Sequence, residues 1–512
     1  MFVRNGIAFV ALAVSAACAA LGQTPSPRSY ATAAERQLDR VRDSPPALYA
    51  FLLRMPKGAD LHNHLSGAVY AESFIRDAAA QSLCIDDHAL SFVRPANRAG
   101  QCADGQTPAA RALEDNQLFG SLIDSLSMRN FVPGRESAHD HFFATFDKFS
   151  AASREESGVY AAEVTRRAAE QNESYLELMA VSGGAVTTLG KKVGLAGFDE
   201  TASQLRAAGL PAYVERLKAD VDAMEQERRA ALNCPASDSP SCRVAVRYIF
   251  QVLRALPKEQ VFAQVLAGFM LASSDPLVVA INLVQPEDYL DAMRDYHLHM
   301  QMVDYVRRLY PNVHITLHAG ELASGLVPPD GLRFHIREAV EIGHAERIGH
   351  GVDIMYENDA VGLLELMHRR RIAVEINLTS NDLILGVKGN AHPFPIYRRH
   401  GVPVVISTDD EGVSRSHLTE EYLRAVLAYH LTYADLKQIV RDSLEFAFLP
   451  GASYWGDPAY RSPVAACAAG ARGKSCQDFL SGSEKARLQL DLEQRFEQFE
   501  RAAAPAPPRK IE

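Results

Sequence analysis

Several features are missing from this sequence, and each absence removes a class of function. Gly-x-Ser-x-Gly occurs nowhere, so a serine hydrolase lacks its nucleophile elbow. No Cys-x-x-Cys occurs, so a cysteine-built metal cluster lacks its usual spacing. Gly473-Lys474-Ser475 looks like the end of a phosphate loop, but the earlier glycine such a loop needs is Ala468. Positive charge is not in excess: a net charge of −10 argues against a nucleic-acid binder with a basic surface and gives no reason to invoke an anionic membrane. A small neutral substrate suits that balance. Nothing after residue 22 is apolar enough to cross a bilayer. At 47% hydrophobic and 23% charged, the composition is that of an ordinary globular protein, without collagen-like or disordered bias.

What is present begins with an export signal. Arg4 makes a short basic start, Gly6 to Leu21 is apolar and rich in alanine, and Ala20-Leu21-Gly22 sets small residues where a signal peptidase cuts. Residues 1–22 are therefore expected to be removed near Gly22, leaving a secreted or periplasmic chain with no membrane attachment. Ser15-Ala16-Ala17 before Cys18 is a weak lipoprotein-like run that lacks the usual aliphatic residue at Ser15. Six cysteines remain after the signal: Cys84 and Cys102, Cys234 and Cys242, Cys467 and Cys476. Six allow fifteen pairings. Their grouping into three close couples, in turn-rich segments, favours three local disulfides in an oxidising compartment.

The length of 512 residues gives room for one large domain with additions, or for two domains. Residues 23–54 read as an N-terminal helical extension interrupted at Pro45-Pro46. Short apolar runs then alternate with amphipathic stretches, and eight of them are predicted as strands. They are Ala59–His64, Tyr175–Val181, Val244–Phe250, Val278–Val284, Val313–His318, Arg347–Gly351, Ala373–Asn377 and Val402–Thr408. Segments of helical periodicity, such as Tyr289–Leu309 and Ala360–Arg370, separate them. The expectation is an α/β fold, a (β/α)8 TIM-type barrel over residues 55–450, with loop insertions at Cys84–Asn116 and Asn233–Arg243 and additional helices at both ends. Tyr422–Phe448 also reads as helical. Residues 451–501 are expected to form a loop and a helix packed on the barrel through Leu488, Leu492, Phe496 and Phe499. Residues 502–512 read as a loose tail.

The residues that carry chemistry cluster at predicted strand ends. In Asp60-Leu61-His62-Asn63-His64, residues two apart point to the same side of a strand, so His62 and His64 can both aim at one metal ion. Two other His-x-His pairs, His139-Asp140-His141 and His297-Leu298-His299, sit in helical patterns, where residues two apart diverge by about 200°. They are expected to be surface or core-edge histidines. His318-Ala319-Gly320-Glu321, Arg347-Ile348-Gly349-His350-Gly351 and Ser407-Thr408-Asp409-Asp410 each follow or end a predicted strand. All four motifs thus fall on the C-terminal rim, where barrel enzymes place their sites.

With these motifs, with Met55-Pro56-Lys57 before the first histidines and Thr379-Ser380-Asn381 after the seventh strand, the sequence resembles the adenosine deaminase family of metal-dependent barrel hydrolases. The likeness covers roughly residues 55–448 and, with its signal and cysteines, leans to the secreted adenosine deaminase-related growth factor branch. It implies one Zn2+ per chain, held by His62, His64, His318 and Asp409, with a position left for a water whose pKa falls from about 15.7 towards 7. It implies attack at C6 of a purine, with Glu321 protonating N1, His350 orienting the nucleophile and Asp410 meeting N7. Gly320, Asp410, Ser66 and Gln285 would contact substrate, and the reaction would be hydrolytic deamination of adenosine or a related 6-aminopurine nucleoside to the inosine-type product and ammonia. The His-x-Glu and Pro-Cys-x-x-Cys signature of another zinc deaminase class is absent.

Three positions depart from the family pattern. Ser66 stands where nucleoside-specific members commonly carry an acidic residue for ribose. Gln285 stands where a glycine amide usually meets N3 of the base, and Glu411 where a proline is common. These leave open the same chemistry on adenine or an N6-substituted adenine derivative, the pocket around Ser66 and Gln285 deciding between them. A non-catalytic exported nucleoside-binding protein would have lost Glu321, His350 or Asp410, and all three are present. The N-terminal helical stretch is open to two uses, a homodimer contact or packing on the barrel.

Overall fold

The computed structural model describes residues 27–504 apart from 98–99, 135, 154–156, 235 and 237, with only the backbone of 27–30. The expected signal segment with its cleavage near Gly22, and residues 505–512 of the expected tail, lie outside the described residues. Eight parallel strands form one sheet in sequence order: β1 Gly58–His64, β2 Glu173–Ser182, β3 Ala245–Leu253, β4 Val278–Val284, β5 His314–Ala319, β6 Arg347–His350, β7 Ala373–Ile376 and β8 Val404–Ile406. The last strand returns to the first through two backbone hydrogen bonds, His64 N–H to Asp409 O at 3.0 Å and Asp409 N–H to His62 O at 2.8 Å. The sheet therefore closes into a barrel with helices around it. Each expected strand is found, with ends shifted by a few residues.

The strands form where the sequence does because they are covered on both faces. β2 is buried along nearly its whole length, and in β4 Val278, Ala280, Ile281, Leu283 and Val284 are all buried, the near-continuous apolar pattern of a parallel sheet under helices. The charged residues set within them are the exception. Arg347 is fully buried, its Nη2 donating to Glu177 Oε2 at 2.6 Å and its Nε to Glu375 Oε1 at 2.5 Å. Its Nη1 reaches the Phe446 carbonyl at 2.9 Å, and the guanidinium lies 3.9 Å from the Phe448 ring centroid. One cation so neutralises two carboxylates inside the barrel.

Outside the barrel, the N-terminal stretch is two helices, Pro27–Val41 and Pro45–Arg54. Pro45 starts the second helix, where a missing N–H costs nothing, so the proline pair begins a helix instead of merely interrupting one. Phe51 packs edge-on to Phe499 of the final helix, Glu484–Ala503, at 5.1 Å between centroids. Leu492 and Phe496 of that helix are buried, with Leu488 and Phe499 partly so. The stretch expected as one helix, Tyr422–Phe448, divides into Leu418–Tyr429 and Tyr433–Glu445. His430 adopts φ +51° at the break, and Thr432 and Asp435 form a capping box. The insertion after residue 84 holds a small antiparallel sheet of Ser91–Val93, Cys84–Asp86 and Gln106–Pro108. The cysteines pair as Cys84–Cys102, Cys234–Cys242 and Cys467–Cys476. Among the described residues no helix is long and apolar enough to cross a membrane.

Arg347→Met removes the guanidinium that two buried carboxylates share. Breaking a buried ion pair from one side costs about 3–5 kcal/mol, and a drop of that order is expected in urea denaturation. A loss below about 1 kcal/mol would show that Glu177 and Glu375 do not depend on it.

Candidate metal centre and substrate cavity

The closing seam of the barrel runs through the first and fourth motifs, which brings His62, His64 and Asp409 together. β5 adds His318. One donor atom from each of His62, His64, His318 and Asp409 lies within 4.8 Å of the other three. Glu321, His350 and Asp409 form a second group within the same span. All of these residues are buried except His64, which is partly exposed.

The surrounding acceptors fix which nitrogen of each ring faces inward. Nδ1 of His62 meets Glu375 Oε2 at 2.6 Å, Nδ1 of His64 meets Gln251 Oε1 at 3.2 Å, and Nδ1 of His318 meets Asn282 Oδ1 at 2.9 Å. Each Nδ1 then carries the proton, and each Nε2 presents a lone pair. Those lone pairs meet one another: Nε2 of His64 and of His318 are 3.1 Å apart, and Asp409 Oδ1 is 3.3 and 3.4 Å from Nε2 of His62 and His64. His62 Nε2 is buried without a hydrogen-bond partner. Ser380 Oγ donates to Asp409 Oδ2 at 2.5 Å and leaves Oδ1 for the cluster. Converging acceptors of this kind are held apart by repulsion unless a cation sits among them, and three imidazoles with one carboxylate are a donor set suited to zinc.

The electrostatics agree. Burial opposes protonation of His62, but the hydrogen bonds and charges of Asp409 and Glu375 outweigh it and lift the ring to about 10, so its Nε2 draws a proton unless a metal cation competes for the same lone pair. Burial lowers His64 to about 4 and His350 to about 3, and it holds His318 well below the usual histidine range. Burial and the nearby charge of Asp409 keep Glu321 and Asp410 well above the usual carboxylate range. His350 accepts from Asn381 Nδ2 at 2.9 Å and lies 3.5 Å from Glu321 Oε1.

A cavity of about 510 Å3 opens onto this cluster, of a size usual for a small-molecule site. His64, His318, Asp409, Asp410, Glu321, Ser66 and Gln285 line it together. A second cavity, of about 520 Å3, opens at the opposite end of the barrel around Arg347, Phe446 and Phe448 and shares no lining residue with the first. Gln285 adopts φ +80°, a region that normally favours glycine. Its side-chain oxygen accepts from Ala255 N at 3.0 Å and its carbonyl from Arg254 Nε at 2.9 Å. Its side chain is thus tied back to the next loop. Gly320 has both backbone groups committed, its N–H to Glu287 at 3.1 Å and its carbonyl to Val352 N and Asp353 N at 2.7 and 3.2 Å. Glu411 pairs with Arg167 at 2.9 Å and accepts from Asn63 at 3.4 Å.

Sequence reasoning passed over several members of the site. Glu375, Asn282 and Gln251 orient the three histidines, and their signal was a lone polar residue in a buried strand. The helix Ala138–Phe149, set aside for its His-x-His pair, lines the cavity with Phe143, Phe146 and Phe149. Its histidines go elsewhere, His139 to Asp288 at 3.1 Å and His141 to the Ser127 carbonyl at 3.2 Å. Both rings of the pair at 297 and 299 lie on a helix, and His299 is buried with both nitrogens unpartnered.

Fold and donor cluster place the chain among the (β/α)8-barrel amidohydrolases. Within that class it belongs to the adenosine deaminase family, whose model matches residues 135–454. An adenosine deaminase from Shewanella halifaxensis is 31% identical over 202 residues, 39% of this chain and 55% of that protein. One from Escherichia coli is 37% identical over 137 residues, 27% of this chain and 38% of that protein. The chain thus spans about half the length of the first of these relatives. Among solved structures, an Arabidopsis N6-mAMP deaminase superposes with a TM-score of 0.51 at 18% identity, over 78% of this chain and 95% of that one. A zinc-bound amidohydrolase from Burkholderia ambifaria gives 0.51 at 20% identity, over 87% and 95%. At such identities the likeness speaks for the fold. His62 and His64 precede the family match, so it is geometry that joins them to His318 and Asp409.

Behind Glu321, Glu287 is buried and accepts from the Glu321 N–H at 2.9 Å and from His335 Nδ1. Burial alone would raise its carboxyl, but the charge and hydrogen bond of His335, then Arg254 and the Glu321 N–H, hold it at about 2 against an ordinary 4.5. A folded value below the unfolded one means that the stability it lends is full above pH 4.5 and is lost as pH falls towards 2. Glu287→Gln is therefore expected to be less stable than the native chain near neutral pH, with the gap in urea midpoints closing as pH drops through that window. A gap that stays constant across the window would show that the charge of Glu287 contributes nothing.

Proposed function

We propose that this chain is a zinc-dependent hydrolase that deaminates adenosine or a closely related 6-aminopurine nucleoside, releasing the inosine-type product and ammonia. The observation that carries the reading is the convergence of four donor atoms with two carboxyls kept in the acid form, all on one small-molecule cavity. His62, His64, His318 and Asp409 would hold the metal. When bound, zinc would supply a water acidified from about 15.7 towards 7.

The chain's own residues account for the remaining steps. Glu321 in its acid form gives a proton to ring N1 as the water oxygen bonds to C6 and the C6–N1 double-bond electrons move to nitrogen. Asp410, also in its acid form, donates to N7, which has only a lone pair to offer. His350, neutral and with Nδ1 accepting from Asn381, carries its proton on Nε2 and donates a hydrogen bond to the attacking water oxygen, which orients it. The C6–N6 bond then breaks, the amino group takes one of the water's two protons and leaves as ammonia, the other returns to Glu321, and the ring regains its conjugation as the 6-oxo product. Phe143, Phe146 and Phe149 supply an apolar wall, a setting that strengthens each of these polar contacts by excluding water.

Gln285 fits adenosine better than its size implies. It keeps the left-handed backbone a glycine would have, with its side chain bound to Ala255, so its amide stays available to the base. The relatives that match in sequence are adenosine deaminases, whereas the fold relatives include an N6-mAMP deaminase and an Arabidopsis protein in complex with IMP. Substrate choice is therefore a matter for assay. We further propose export to an oxidising compartment, supported by the three disulfides.

Adenosine, 2′-deoxyadenosine, adenine and N6-methyladenosine are the substrates to compare, by ultraviolet absorbance and ammonia release, with and without a chelator. Chelator-sensitive turnover of adenosine is expected. Turnover of another purine alone would keep the chemistry and move the specificity to the Ser66–Gln285 side, and silence on all four would remove the deaminase reading. Glu321→Gln is expected to lose about 100-fold or more in kcat while retaining zinc; near-native kcat would end its proton role. His62→Ala is expected to lose zinc on dialysis, and full occupancy by elemental analysis would take His62 out of the donor set.

A further inference from the structure

The Glu321 carboxyl has no hydrogen bond of its own among the described residues. Its Oε1 is buried and unpartnered, with His350 Nδ1 nearest at 3.5 Å. Its direction must then come from its backbone, and the backbone is gripped from several sides. One Glu287 carboxylate accepts from two consecutive amides, Gly320 N–H at 3.1 Å and Glu321 N–H at 2.9 Å. Two successive N–H groups converge on one anion when the chain passes through a left-handed residue, and Gly320 supplies φ +73°. A side chain at that position would meet Ile336 Cδ1 at 2.7 Å and the Asp353 carboxylate, so glycine is required for space as well.

The carbonyl side of the loop is held too. Arg254 is fully buried and donates from Nη1 to His318 O at 3.1 Å and from Nε to Gln285 O at 2.9 Å. His335 is fully buried, donates Nδ1 to Glu287, and stacks on Tyr296 at 3.9 Å and 9° between planes. Tyr296 Oη in turn donates to the His335 carbonyl at 2.8 Å, which ties the two residues together at a second point.

We infer that Glu287, set between Arg254 and His335, is a positioning residue that fixes the Gly320–Glu321 peptide and thereby aims the Glu321 carboxyl over the cavity floor. It touches neither substrate nor the proposed metal ligands' side chains, and acts through the main chain. The inference rests on the proposed reading in which Glu321 is the proton donor. A carboxamide at 287 offers one acceptor oxygen and sets an N–H2 against the other backbone N–H, so the grip would fail on one side while packing volume is kept.

The test is Glu287→Gln in the zinc-loaded full chain, beside His335→Leu, which removes the donor to Glu287, and His335→Asn, whose Nδ2 keeps a donor near the place of Nδ1. Glu287→Gln is expected to lower kcat at least about tenfold, with a smaller change in KM and unchanged zinc content. The Gly320 and Glu321 amides should exchange hydrogen faster, in a chain whose circular dichroism is native. His335→Asn should keep several-fold more of kcat than His335→Leu. A folded Glu287→Gln with native kcat, or with native exchange at those amides, overturns the inference. Where Glu287→Gln does not fold, the His335 pair decides, and equal kcat in the two variants overturns it. An unmodified chain silent on every purine would sink the function reading alone, since amide exchange still reports whether the grip exists.

Discussion

Arg347 is the residue on which both fold and site turn. A guanidinium with no water around it is stable only if its charge is balanced in place, and here Glu375 does so from the adjacent strand β7 and Glu177 from β2, further round the barrel. Glu375 has another duty. Its other oxygen accepts from His62 Nδ1–H at 2.6 Å. Burial raises the Glu375 carboxyl, but Arg347 and His62 outweigh it and hold it at about 2, so its ionisation sets the tautomer of a proposed metal ligand. The charge that closes the barrel core is therefore continuous with the charge that prepares the donor cluster. A neutral substitute at 347 would disturb the tautomer of His62 as well as the core.

The seam of the barrel lies at the same place. His62, His64 and Asp409 hold the first and last strands together by backbone hydrogen bonds while their side chains turn to the cavity. Asp409 does this at φ +62° and His350 at φ +67°, backbone conformations that side-chain-bearing residues avoid. Such strain persists where surrounding contacts over-determine it, and it gathers at functional sites. Ser380 on Asp409 and Asn381 on His350 are among the contacts that do so here, both drawn from the short helix Leu378–Leu385. The Thr379-Ser380-Asn381 run in the sequence thus has a physical role, to brace two strained residues from one direction.

Much of the barrel was readable in the sequence because parallel strands advertise themselves as short apolar runs and four of them end in polar motifs of fixed spacing. His62 and His64 were legible as a pair through strand alternation alone, and the helical pairs at 139 and 297 were separable from them by the same rule. What stayed hidden depends on distances no local pattern encodes. Glu375 in Ala373-Val374-Glu375-Ile376 reads as an ordinary strand polar residue, and only closure of the barrel brings it to His62. Glu287 follows Gln285-Pro286 in what reads as a loop, and its two backbone partners lie more than thirty residues away. The role of Phe143 and Phe146 was masked by the very histidines that made their helix conspicuous. The tying-back of Gln285 likewise needed the position of Ala255.

The proton inventory of the cavity follows from one anion. Asp409 accepts from Ser380 and faces His62, His64 and His350, and these contacts outweigh burial and keep it ionised, with its carboxyl well below the usual range. Once it is ionised, a second negative charge nearby in the same buried space is costly, so Glu321 and Asp410 hold their protons. Three carboxyls of similar intrinsic acidity are sorted by position into one anion and two acids, as happens wherever environments push neighbouring acids apart. That sorting needs no lysine or arginine in the cavity, and none is among the described residues lining it. The cavity therefore presents acids and aromatic faces to whatever enters, which is the surface the proposed purine substrate would need.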